Sequence, residues 1–474
     1  MKRVSKVWQY LGPRFLPFAD AATEQLPLER LLRLSLFQVS VGMSMVLLTG
    51  TLNRVMIVEM GVPAWLVGVM ISLPLLFAPF RALVGYKSDT HRSVLGWRRI
   101  PYIWFGTMMQ FGGFAIMPFA LILLSGDSNG PEWIGQAGAA LAFMLVGAGI
   151  HTTQTAGLAL ANDLAPAHVR PRVVALLYVT LLLGMAASAT IFGGLLQDFS
   201  QIQLIQIIQG VAVAVAVLNC IALWKQEVRN PQLTSPEREH PSFSEAFAAL
   251  LKTGRVVRLL LALGLGTAGF AMQDILLEPF GGQVFNMSVG QTTWLTTLLA
   301  LGTLCGFAIA AHLLTAGGDP CRIASAGAVL GVFAFAGVIF APAIDSINLF
   351  CTASAFIGMG SGLFAVGMLT AAMALADHAD SGLVIGAWGA VQATAAGIAV
   401  ALSGILRDTI GSLALHGDLG TTLQQDLTGY SFVYQIEIGL LFVTLIVLGP
   451  LVRVRGKSTN STPTVKFGLV QHPG

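Results

Sequence analysis

The chain reads as long apolar runs separated by short polar breaks. Twelve such runs stand out, at 34–58, 63–84, 100–124, 134–161, 172–196, 203–224, 257–278, 290–314, 322–343, 348–375, 382–406 and 431–452. Runs of about 18 or more apolar residues are long enough to cross a bilayer as helices. Short alternating segments, which a membrane barrel requires, are not visible. The pattern predicts an all-α membrane protein with twelve transmembrane helices. The longest interior interruption runs from Lys225 to Val256 and contains QEVRNPQLTSPEREHPS, then the amphipathic FSEAFAALLK. It divides the runs six and six. The expected organisation is an amphipathic segment at 1–33, a six-helix bundle at 34–224, a linker at 225–256, a second bundle at 257–452 and a tail at 453–474.

Composition agrees with this pattern. Of the 474 residues 55% are hydrophobic and 10% charged, with a mean hydropathy of +0.76. A soluble chain carries about 25% charged residues. The 53 glycines suit helices packed closely in lipid. The opening residues MKRVSKVWQYLGPRFLPF lack a signal-peptide core and cleavage site, so the N-terminus is expected in the cytoplasm. With the N-terminus inside, all but Arg54 and Arg407 of the 26 Lys and Arg residues fall on the cytoplasmic side. RFLPFADAATEQLPLERLLRLSLF is expected to lie along the inner membrane surface. Cys220, Cys305, Cys321 and Cys351 show no disulfide or metal spacing and read as core thiols.

The halves resemble each other. NRVMIVEMGVP closes the first run and MQDILLEPFGG the seventh, with Glu59 set against Glu278. LALANDLAP and MALADHADS close the fourth and tenth. Such repetition predicts two pseudo-symmetric bundles with any cavity between them.

The loop GYKSDTHRSVLGWRRIPYIW, residues 85–104, concentrates charge between the second and third runs. Gly85, Asp89 and the basic residues after it resemble the signature loop of the major facilitator superfamily, G-x-x-x-D-x-x-G-R-[RK], with the Gly-Arg pair displaced to Gly96–Arg98. A carboxylate set at a helix N-terminus meets free N–H groups and the positive end of the dipole. The resemblance implies an inner latch of Gly85, Asp89, Arg92, Arg98 and Arg99 against Ser381 and Gly382 at the start of the eleventh run. The matching loop of the second half keeps Gly306 but has Ala310 at the acidic position, leaving Asp319 and Arg322 near; that latch reads as degraded.

The stretches FRALVGYKSDTHRSVLGWRRIPYIWFGTM, LALANDLAPAHVRPRVVALLYVTLLLGM and MALADHADSGLVIGAWGAVQATAAG sharpen the resemblance. They are similar to the bacteriochlorophyll delivery (PucC/LhaA) family of purple phototrophic bacteria. The resemblance implies assembly of light-harvesting complexes, with bacteriochlorophyll as cargo and the α and β antenna polypeptides as partners, the core antenna (light-harvesting 1) being the client it favours. It further implies contact with pigment-synthesis and membrane-insertion machinery, and residence in the bacterial inner, intracytoplasmic photosynthetic membrane.

Ionisable groups within such runs are costly and mark function. Arg54, Glu59, Asp274 and Glu278 are expected to form an outer latch, with Arg54 pairing Asp274 or Glu278. Glu437 is expected at the outer interface. His151, with Gln154 beside it and small residues around it, is a candidate axial ligand for a pigment magnesium; a core histidine is the alternative. Gln392 could line a cavity. No P-loop, H-E-x-x-H or nucleophile elbow is present, so neither an enzyme nor a nucleic-acid binder is expected. Proton-coupled transport of a small amphipathic solute is the competing function, and the expected lack of a deep carboxylate counts against it.

Overall fold

Lipid offers no hydrogen-bond partners, so each apolar run must close its own backbone bonds as a helix. In the computed structural model, residues 26–76, 84, 88, 97–125, 131–166, 169–227, 254–376, 381–425 and 427–452 are described. They hold helices α1 (Leu28–Met45, continued by wider π turns over Val46–Leu52 and Val55–Glu59), α2 (Ala64–Leu76), α3 (Ile100–Leu124), α4 (Glu132–Leu164), α5 (Arg170–Leu195) and α6 (Gln201–Leu223). The second half holds α7 (Gly254–Ala271), a 3-10 turn (Met272–Ile275), the short α7b (Leu277–Val284), α8 (Val289–Thr315), α9 (Pro320–Phe340), α10 (Ile347–Ala376), α11 (Ser381–Leu415) and α12 (Leu427–Leu448). Among the described residues, eleven helices are long and apolar enough to cross a membrane, and α2 is shorter. No strand occurs among the described residues.

Helix starts follow local chemistry. Ser288 and Gln291 form a reciprocal capping box at α8, and the Asp319 carboxylate accepts from the Arg322 N–H at 3.0 Å to cap α9. Several boundaries move from the expected ones. α1 begins at Leu28, behind Pro27, so residues 28–33 belong to it and not to a separate surface segment. α11 runs to Leu415, nine residues past its expected end at 406, because Arg407 finds partners inside the bundle instead of ending the helix.

Helix pairing repeats between the halves. In the first, α1 packs on α4, α5 and α6, and α3 on α4 and α6. In the second, α7 packs on α10, α11 and α12, and α9 on α10 and α12. The halves meet along two seams, α2 with α11 and α5 with α8. Backbones approach closely where Gly106 of α3 faces Gly149 of α4, and where Gly327 of α9 faces Gly360 of α10; a side chain at any of the four would strike the opposing carbonyl.

Candidate functional site

The first half holds a chain of neutral polar groups across four helices. Ser40 of α1 donates to Asn219 Oδ1 of α6 at 2.7 Å, and Asn219 Nδ2 donates to Thr107 Oγ1 of α3 at 2.9 Å. One turn along, Ser44 donates to Gln110 Oε1 at 2.9 Å, and Gln110 Nε2 donates to Thr153 Oγ1 of α4 at 3.1 Å. All six side chains are fully buried. Sequence reasoning missed this network; its one visible sign is a lone amide, Gln110 or Asn219, inside an otherwise apolar stretch.

At the inner end of this half, Arg98 and Arg99 of the charged loop bond to groups of their own bundle. Arg98 Nη2 and Arg99 Nε both donate to Asp163 Oδ2 at the end of α4, at 2.6 and 3.0 Å, and Arg99 Nη1 donates to Ser88 Oγ at 2.6 Å. The Glu227 carboxylate, just past α6, accepts from the backbone N–H groups of Arg98, Arg99 and Ile100 at 2.7–3.1 Å. An acid does rest on a helix N-terminus here, but it is Glu227 on α3. Gly85, Asp89 and Arg92 lie outside the described residues, and of Ser381 and Gly382 only the helical backbone is described.

The outer end differs from expectation. Arg54, buried, pairs with Glu59 on its own helix and donates from Nη2 to the Met287 carbonyl at 3.0 Å. The expected ion pair to Asp274 or Glu278 is absent among the described residues, because Glu59 lies five residues along the same wound segment and reaches the guanidinium first. Glu278 instead accepts from Thr296 Oγ1 at 2.5 Å. Asn53 Nδ2 donates to the Ile275 carbonyl at 2.9 Å. A second acid was missed: Asp408 Oδ2 accepts from the Trp65 N–H at 2.7 Å, capping α2 from α11. Its neighbour Arg407 donates to Asp408 and to Gln283 Oε1 and sits 4.7 Å from the Tyr430 ring centroid. Thr190 of α5 meets Thr297 of α8 at 3.2 Å. The bonds from Asn53, Arg54, Trp65 and Thr190 to the second half all lie toward this end.

The largest correction concerns Glu437. α12 begins at Leu427, so Glu437 is the eleventh of its 22 residues, about 15 Å from the first at 1.5 Å per residue. It is fully buried, and neither carboxylate oxygen has a hydrogen-bond partner. It lies mid-helix and not at the interface. Its electrostatic neighbours are Asp274 and the backbone amide of Gln273, both in the 3-10 turn that breaks α7; the amide stands short of hydrogen-bond geometry.

His151 and Gln392 are partly buried on α4 and α11, and Gln154 is buried on α4. The small residues near His151 do not open space for a macrocycle. Gly147 is filled by Pro74 of α2, Gly149 by Gly106 and Gln110 of α3, and Gly157 by Phe37 of α1; Ala156 is buried. Helix packing uses those positions. No group of three or more potential metal ligands occurs among the described residues.

A family described as "PUCC protein" matches residues 51–456. The chain belongs to the PucC family. It is 59% identical over 406 residues to Protein PucC of Rhodovulum sulfidophilum, covering 84% of this chain and 89% of that protein. It is 56% identical over 446 residues to a Rhodobacter capsulatus protein named for the puhA-bchM intergenic region, covering 94% and 93%. Among solved structures it is similar to an inward-facing, unoccupied bacterial homologue of the lysosomal transporter Spinster, with TM-score 0.68 and 13% identity over 89% of this chain and 95% of that one. At that identity the likeness concerns the fold, which is that of major facilitator transporters. The PucC-family chain is thus a multi-pass membrane protein with a transporter-like architecture.

Proposed function

We propose that this chain is a light-harvesting complex assembly factor of the photosynthetic membrane. It holds bacteriochlorophyll and the antenna α and β polypeptides during assembly of the core antenna, and it catalyses no reaction. The observation that supports this reading is similarity at more than half identity to PucC proteins over most of the chain. The pigment's place is the space between the halves or a groove on the bundle surface; the tightly packed glycines of α4 argue against the face of Gly147, Gly149 and Gly157. The test is purification in mild detergent with an absorption spectrum and identification of co-purifying polypeptides, together with deletion in a phototrophic host. Pigment absorption with bound α and β polypeptides, and loss of core antenna on deletion, are expected. A colourless, partner-free protein whose deletion leaves both antennas intact would overturn it.

Proton-coupled transport of a small amphipathic solute is the second reading. One observation favours it: the mid-helix, unpartnered Glu437. Solute uptake driven by a pH gradient in reconstituted vesicles separates the two.

A further inference from the structure

A carboxylate has no stable way to be both charged and unpartnered in a protein interior. Removing it from water costs several kcal/mol (roughly), which only a counter-charge or several hydrogen bonds offset. Glu437 has neither. Every element packed against α12 can be checked for a cation. α9 carries ionisable groups only at its inner start, Cys321 and Arg322. α7 carries Arg255 and Arg258 at its inner start, and α11 carries Arg407 and Asp408. Arg407 is engaged by Asp408, Gln283 and Tyr430. The turn that breaks α7 contributes Asp274, and α7b contributes Glu278, both acids. α12 itself adds Tyr430 and Tyr434. Across the seam, Arg54 is engaged by Glu59.

The surroundings of Glu437 therefore hold acids and no free cation. Other buried polar atoms near the break also lack partners: Gln273 Oε1, Tyr434 Oη and one oxygen of Glu278. Asp274 differs from Glu437 in one respect. Its turn packs among α1, α2, α11 and α12, yet Asp274 is exposed, so it faces the gap those helices leave. Gln273 Nε2 holds its Oδ1 at 2.5 Å.

We propose that Asp274 and Glu437 form a proton-binding site at the break in α7, in which Glu437 carries the resting proton and Asp274 is its way in and out. The ligand is a proton; the step is O–H formation on a Glu437 oxygen with transfer through the Asp274 carboxylate from water in the gap. Two acids that share a site cannot both ionise cheaply, and the exposed one exchanges first. The site operates under either reading of the protein's function, so its failure leaves those readings standing.

The test is infrared spectroscopy of the full-length protein reconstituted in lipid. At neutral pH the wild type should show the carbonyl band of a protonated carboxyl that shifts in heavy water. Glu437→Gln should lose that band, whereas Glu59→Gln should keep it. Asp274→Asn should keep the band but slow its response to heavy water. A wild-type protein without the band overturns the proposal before any variant is made. A band unchanged in Glu437→Gln, or one that appears only on adding sodium ions, also overturns it. Exchange at the wild-type rate in Asp274→Asn removes the entry role of Asp274.

Discussion

The two halves repeat one another in helix pairing but not in what they bury. The first half strings Ser40, Asn219 and Thr107, and Ser44, Gln110 and Thr153, into hydrogen bonds that link α1, α3, α4 and α6. It too leaves buried atoms unpartnered, both amide atoms of Gln38, Thr51 Oγ1 and Asn53 Oδ1 among them, but none of these belongs to an acid. The second half buries Glu278 and Glu437 around a helix that breaks, with unpartnered atoms on Glu278, Glu437, Gln273 and Tyr434. A satisfied neutral network rigidifies a bundle, whereas unsatisfied acids store free energy in it. Among the described residues, the buried acids thus all lie in the second half.

That contrast can be broken at graded points. Gly106→Leu should have the largest effect. Its side chain would drive into Gly149 and Thr153 and separate α3 from α4, costing about 3 kcal/mol, and little folded protein should survive extraction into detergent. Asn219→Leu comes next. It removes two buried hydrogen bonds between helices and leaves the Ser40 and Thr107 hydroxyls only the Phe37 and Ile103 carbonyls of their own helices, and a loss of about 2 kcal/mol should appear as a lower melting temperature. Glu227→Gln removes the charge that caps α3, for about 1 kcal/mol, with a smaller difference from wild type at high salt. Glu437→Gln should be the mildest, within about 1 kcal/mol of wild type, because no partner is lost. Should Glu437→Gln cost as much as Asn219→Leu, the contrast between the bonded network of the first half and the unpartnered acid of the second fails.

Much of the fold is legible in the apolar runs, since a membrane leaves the chain few alternatives to helices. Boundaries are read less well, and one of them decided the site. Setting the last helix at 431 puts Glu437 near its edge; Leu427 and Tyr430 are part of the helix, and the residue moves to the middle. Arg407 ends an apolar run by composition, yet Gln283, Asp408 and Tyr430 make it an interior residue of α11. The physics assigned to Asp89, an acid on a helix tip, is found at Glu227 and Asp408, whose partners are far away in sequence. No local pattern announces such pairs. The small residues around His151 mislead for the opposite reason: glycines that suggest an opening are the same glycines that let helices touch.

The bonds from Asn53 to Ile275, Arg54 to Met287 and Trp65 to Asp408 gather at one rim of the barrel of helices. Each is worth only about 1 kcal/mol net in a folded protein. A lid hung on so few stitches can be parted by the binding energy of one modest guest.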